Sequence, residues 1–110
     1  DRMNSAFRKL RRQAGEAAKN ESSLELVAIM KEVVAAALIL TPAKAVDMPE
    51  EDREKFVAGY RKQLEKLAVA LADLATAFKA GDNMEATKLI GDIREFQKSG
   101  HQEYKKPDRD

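Results

Sequence analysis

Two side chains near opposite ends of this 110-residue chain could ligate a metal. His101 is the only histidine, and it lies eight residues after Ile93 and eleven after Ile90 at the end of the last apolar-striped segment. Met3 lies near the start. An imidazole nitrogen and a thioether sulfur can fill both axial positions of a haem iron if the fold brings the two ends together. Each residue also has a plainer role. A lone histidine near a helix end is commonly a surface or capping residue, and a methionine on an apolar stripe commonly fills the core. The chain has no cysteine, which removes disulfides, thiolate metal sites and thioether attachment of a haem.

Other chemistries find little to build on. There is no second histidine and no Gly-rich phosphate loop, so neither a nucleophilic nor a nucleotide site is expected, and an enzyme is disfavoured. A di-iron carboxylate site would need Glu-x-x-His from two helices, which one histidine cannot supply. Twenty basic against nineteen acidic residues leave a net charge of +1, so no global field favours nucleic acid or an anionic membrane. Arg2, Arg8, Lys9, Arg11 and Arg12 make the first helix basic, and a solvated helix face is the plainer reading of that run. The longest apolar candidate, Val33 to Leu40, is too short to cross a bilayer. Neither a nucleic-acid partner nor membrane insertion is expected.

The elements that must position Met3 and His101 are helices. Met3, Phe7, Leu10 and Ala14 recur at helical spacing, as do Leu26, Met30, Val33, Val34, Ala37 and Leu40. Phe56, Tyr60, Leu64, Leu67, Leu71, Leu74 and Phe78 form the longest stripe, predicting a third helix of about 30 residues. Ala86, Leu89, Ile90, Ile93 and Phe96 lead to His101 and Tyr104 before Pro107 stops the fourth. Asn20, Ser22 and Ser23 should interrupt the first pattern, Thr41-Pro42 should end the second, and Ala80-Gly81-Asp82 should separate the third from the fourth. Ser22 with Glu25, and Asp82 with Glu85, have capping-box spacing. Pro49 reads as a first-turn proline followed by Glu50, Glu51 and Asp52 near the positive end of the helix dipole. Gly81 fits the left-handed position after a helix end.

One domain over residues 1–110 is expected: an all-α, antiparallel up-down-up-down four-helix bundle with helices crossing near 20°. That topology puts the first and last residues at one end. Phe56 and Tyr60, one turn apart at the start of the third helix, should lie level with the start of the first helix. Met3, Phe7, Phe56, Tyr60 and His101 would then line one end of a core able to accept a flat apolar macrocycle. Core packing alone explains the aromatics about as well.

Several segments resemble the soluble four-helix-bundle cytochromes that include the cytochrome b562 and cytochrome c′ families. Lys55-Phe56-Val57-Ala58-Gly59-Tyr60 is similar to an aromatic-x-x-Gly-aromatic signature on the third helix. Gly100-His101-Gln102-Glu103-Tyr104-Lys105 resembles the terminal His-Gln-x-Tyr-basic segment. Met3-x-x-x-Phe7-x-x-Leu10 is similar to the opening helix, and Ala80-Gly81-Asp82 to the turn before the last. The set covers essentially the whole chain in order. Where cytochromes c′ carry Cys-x-x-Cys-His, this chain has Gln97-Lys98-Ser99-Gly100-His101.

The resemblance therefore implies a b-type cytochrome that holds haem b non-covalently, with His101 and Met3 as axial ligands, for electron transfer with a redox partner protein. It implies haem contacts from Phe7, Leu10, Phe56, Tyr60, Gln97 and Lys105, and a periplasmic location. Gln97 stands where the family has a basic residue near the haem edge, leaving Lys105 and Arg94 as substitutes toward a propionate. Two alternatives remain: a haem-free periplasmic binding or regulatory bundle, and a five-coordinate gas-binding haem protein. Ligation needs a neutral imidazole nitrogen, so acidification through the histidine range should weaken binding of oxidised haem, and an affinity unchanged between neutral pH and about pH 5 would contradict this.

Overall fold

The structure, a computed structural model, describes residues 2–39 and 47–104, with side chains described up to Ser99. Four α-helices, α1 (Arg2–Gln13), α2 (Asn20–Ala37), α3 (Glu50–Lys79) and α4 (Asn83–Tyr104), contain nearly all of them. A 3-10 turn, Ala17–Lys19, leads into α2. No strand occurs among the described residues. The arrangement is consistent with a four-helix bundle, and each helix packs against the next in sequence. At 1.5 Å per residue α3 is about 45 Å long, so it alone spans most of the 50 Å longest dimension.

Helical spacing of apolar residues explains which faces turn inward. Phe7, Leu10 and Ala14 are buried beside Leu26, Met30 and Val34, Leu67, Leu71, Leu74 and Phe78, and Ala86, Ile90 and Ile93. Leu10, Met30, Leu71 and Leu74 have no exposed surface at all. Burial of each such side chain contributes roughly 1.5–3 kcal/mol. Leucine, isoleucine and alanine supply most of this core, which lets the helices approach closely.

The helix boundaries agree with the sequence reading at α3 and α4 and differ between α1 and α2. Gly81 has φ +73°, where an L side chain would be strained. Its N–H donates to the Phe78 carbonyl at 3.1 Å, and the Asp82 N–H donates to the Ala77 carbonyl at 2.9 Å, which is the Schellman closure of a helix C-terminus. Asp82 then caps α4: its Oδ1 accepts the Glu85 backbone N–H at 3.1 Å. Because Ala77 already takes the Asp82 N–H, the reciprocal half of a capping box has no donor to serve. Pro49 lies one position before α3, with extended backbone, and its carbonyl accepts the first turn's bond from the Arg53 N–H at 2.8 Å.

The predicted break at Asn20, Ser22 and Ser23 is corrected. The chain turns earlier, at Ala14–Glu16, and Gly15 belongs to that turn rather than to a helix interior. Asn20, Ser22 and Ser23 lie within the first turns of α2, and Ser22 is not its cap. Their polar groups are used between helices instead. Gln13, buried at the end of α1, donates through Nε2 to Ser22 Oγ at 3.1 Å and to Ser23 Oγ at 3.0 Å. The predicted stop at Thr41-Pro42, and Leu40 of the second stripe, lie outside the described residues.

Candidate functional site

The two ends of the helix set are built differently. One end is a polar clasp. Asn83, the first residue of α4, donates to the Ala14 carbonyl just past α1 at 2.7 Å and to Asn20 Oδ1 at 2.7 Å. Asn20, the first residue of α2, donates back to Asn83 Oδ1 and to the Phe78 carbonyl near the end of α3, each at 3.3 Å. The end of α1, the start of α2, the end of α3 and the start of α4 therefore meet there. Among the described residues no buried side-chain nitrogen or oxygen lacks a partner.

Away from the clasp the core thins. α3 has no buried residue before Leu67: Phe56, Val57, Tyr60 and Leu64 are only half-buried. Met3, Leu38, Leu64 and Phe96 pack against the margin of the core without being enclosed. Helix lengths supply the physical reason. Counted from the clasp, α1 reaches Met3 ten residues before Gln13, about 15 Å along its axis. α3 reaches Tyr60 nineteen residues before Lys79, about 29 Å along. His101, eighteen residues after Asn83 on α4, lies about 27 Å along. Among the described residues α1 reaches only about the level of Leu67, short of the half-buried first half of α3.

This stagger corrects one expectation. Tyr60 is level with His101, whereas Met3 lies nearer the level of Leu67 and Ile93, a step of about 12 Å toward the clasp. Arg2 marks the same level on α2, where it pairs with Glu32 at 3.2 Å. Of the residues expected to touch a cofactor, Phe7 and Leu10 are buried in the core, and Met3, Phe56, Tyr60 and Gln97 are half-buried. The backbone of His101 lies in α4, but its side chain is outside the described set, and Lys105 lies wholly outside it. Arg94, the other candidate for a propionate, is exposed. Sequence reasoning missed Leu38, Leu64 and Gln63 at the same margin. Leu64 was legible as part of the α3 stripe, whereas Leu38 falls in the turn after α2 and Gln63 beside the stripe, where periodicity gives no signal.

The described side chains of this end are half-buried aliphatic and aromatic groups with a thioether at the lower edge, and the backbone of His101 lies in α4. Among the described residues no group of three or more His, Cys, Asp or Glu side chains could hold a metal ion. A bare-ion site of that type is thus not formed there. Partly exposed apolar surface instead suits a large, flat, apolar group that brings its own metal ligands. The half-buried apolar side chains and the Met3 thioether fit a haem in chemistry.

Comparison with known proteins bears on the same residues. None of the curated proteins and none of the solved structures matches the chain significantly. A protein-family model, that of cytochrome b562, matches residues 1–105, a span that takes in both Met3 and His101. The chain belongs to the cytochrome b562 family.

Proposed function

We propose that this protein is a b-type cytochrome that holds haem b non-covalently at the end away from the clasp and transfers electrons. Family membership supports a haem-binding cytochrome. The observation that carries the placement is the half-buried stretch of α3 before Leu67, with Met3 and Phe96 at the margin of the core. We infer an antiparallel up-down-up-down bundle, which the meeting of four helix ends at the clasp supports. His101 and Met3 are the axial ligands in this reading. Haem ligated by imidazole and thioether supplies a one-electron couple of raised potential with no open coordination position, which suits electron transfer more than oxygen activation.

The chain's own contribution is binding and orientation. Phe56, Tyr60, Leu64 and Phe96 exchange water contact for contact with the macrocycle, at roughly 25 cal/mol per Å² of apolar surface removed from water. Phe7, Leu10, Leu67 and Ile93 form the closed floor, which keeps solvent from the face nearest the core. Gln97, half-buried one turn before His101, offers a neutral amide toward the haem edge, and Arg94 or Lys105 offers the positive charge a propionate favours. Exchange occurs with a redox partner protein, and the proposed location is the periplasm.

Titrating the purified protein with haemin and recording the visible spectrum, oxidised and then reduced, tests this reading. A saturable one-to-one change with sharp low-spin reduced bands is expected. No specific spectrum at micromolar protein would favour a haem-free helical binding module. A second reading draws on Met3 itself, which stands in the first turn of α1. If that turn frays, the iron keeps a single protein ligand and a gas-binding site results. High-spin bands in the wild-type protein would select it.

A further inference from the structure

We propose that the solvent face of α1 is a docking surface for an acidic protein. α1 contains Arg2, Arg8, Lys9, Arg11 and Arg12 and no carboxylate, and all five are exposed. The other helices are neutral or acidic. α2 sets Glu21, Glu25 and Glu32 against Lys31, α3 has equal numbers of acids and bases, and α4 has one more acid than bases. A chain of net charge +1 thus concentrates its positive charge on one helix. Arg2 is paired with Glu32 across 3.2 Å, with both side chains about two-thirds exposed. Among the described residues Arg8, Lys9, Arg11 and Arg12 form no ion pair.

Helix electrostatics explain only part of this set. Arg11 and Arg12 lie in the last turn of α1, where the carbonyl end of the dipole favours cations. Arg8 and Lys9 lie further in. Arg8 repels Arg11 and Arg12, and Lys9 repels Arg12, at the three- and four-residue spacings where like charges destabilise a helix. That repulsion costs the isolated helix, and a carboxylate-bearing partner would relieve it. Guanidinium groups pair with carboxylates through two parallel hydrogen bonds, giving direction as well as attraction.

A protein partner is favoured over other polyanions. The near-neutral chain has no long-range field to draw in nucleic acid. Phe7 and Leu10, the apolar side of α1, are buried in the core, so the helix cannot lay an apolar face into a bilayer. α1 also carries Met3, so a protein on this face sits beside the proposed haem end. That such a partner exchanges electrons rests on the haem-protein reading, whereas the docking itself does not.

The test is binding of fluorescently labelled poly-L-glutamate at low and moderate salt, run with and without haemin, on the wild-type protein and two double variants. Arg8→Glu/Lys9→Glu is expected to weaken binding about tenfold or more and flatten its salt dependence. Lys66→Glu/Lys88→Glu changes net charge equally on other helices and should leave binding near wild type. Equal losses in the two variants would reduce the effect to net charge and overturn the proposal, as would no binding at all. Short duplex DNA and phosphatidylglycerol vesicles serve as competitors in kind. A larger loss for either of them than for polyglutamate on reversal of Arg8 and Lys9 would assign the face to nucleic acid or membrane and overturn it too. Circular dichroism checks that both variants remain helical. Because the haemin-free arm stands alone, failure of docking and failure of haem binding give separate results.

Discussion

The clasp end and the Met3 end share the same four helices and differ in how completely they satisfy themselves. At the clasp, Leu71, Leu74 and Ala86 are fully enclosed, Gly81 and Asp82 close a tight helix connection, and two asparagines tie the helix ends together. At the other end Met3, Phe56, Tyr60, Leu64 and Phe96 remain half-buried. Side chains of the same types occur in both. What separates them among the described residues is helix length: α1 reaches only about the level of Leu67, short of the first half of α3. The lesson is a division of labour, in which packing at one end stabilises the fold and leaves half-buried apolar surface at the other, where the proposed haem would bind.

The comparison breaks first at His101. His101→Ala should weaken haem binding at least about 100-fold and remove the low-spin spectrum, while far-ultraviolet circular dichroism stays nearly unchanged. Substantial loss of helicity would mean that His101 supports the fold instead. Next, Phe78→Ala and Phe56→Ala remove the same side chain from the two ends. Phe78, 2% exposed, should lose about 3–5 kcal/mol in urea unfolding. Phe56 should lose about 1.5 kcal/mol or less without haem, yet lower haem affinity measurably. Equal destabilisation would erase the distinction between the ends.

Asn83→Ala should cost about 1–3 kcal/mol, because it removes the donor that the part-buried Ala14 carbonyl and Asn20 Oδ1 share. Haem affinity should hardly change if the clasp only stabilises the fold. The smallest effect belongs to Gly81→Ala, which forces a methyl-bearing residue to φ +73° and should cost about 1–2 kcal/mol by thermal unfolding. No atom stands within 4 Å of the added carbon, so backbone strain would be the sole cause.

Much of this contrast was legible in the residues, though unevenly. α3 reads almost completely from sequence, because a long stripe of Leu and Phe is bounded by Pro49 and Gly81, whose backbone preferences are local. The Asp82 cap reads for the same reason. Ser22 misled because its spacing to Glu25 permits a capping box, while its actual partner, Gln13, belongs to another helix. Buried Gln13 and Ser23, like the Asn20–Asn83 pair, satisfy each other across the fold, and no local pattern announces a polar residue whose partner is distant in sequence. The stagger of Met3 against Tyr60 followed from where α1 ends, at Gln13 rather than near Asn20. The helical stripes therefore read in the right chain order, whereas Met3 and Tyr60 do not share the single level expected of them.

The division of labour is most directly tested by residue-resolved amide hydrogen exchange with and without haemin. Without haemin, slow exchange should concentrate in Leu71–Phe78 and Ala86–Ile93, and the stretch Phe56–Leu64 should exchange orders of magnitude faster. Haemin should then protect Phe56–Leu64, Ile93–Ser99 and the first turns of α1, leaving the clasp little changed. Uniform protection along α3 before haemin is added, or a gain at the clasp in place of the Met3 end, would contradict the account.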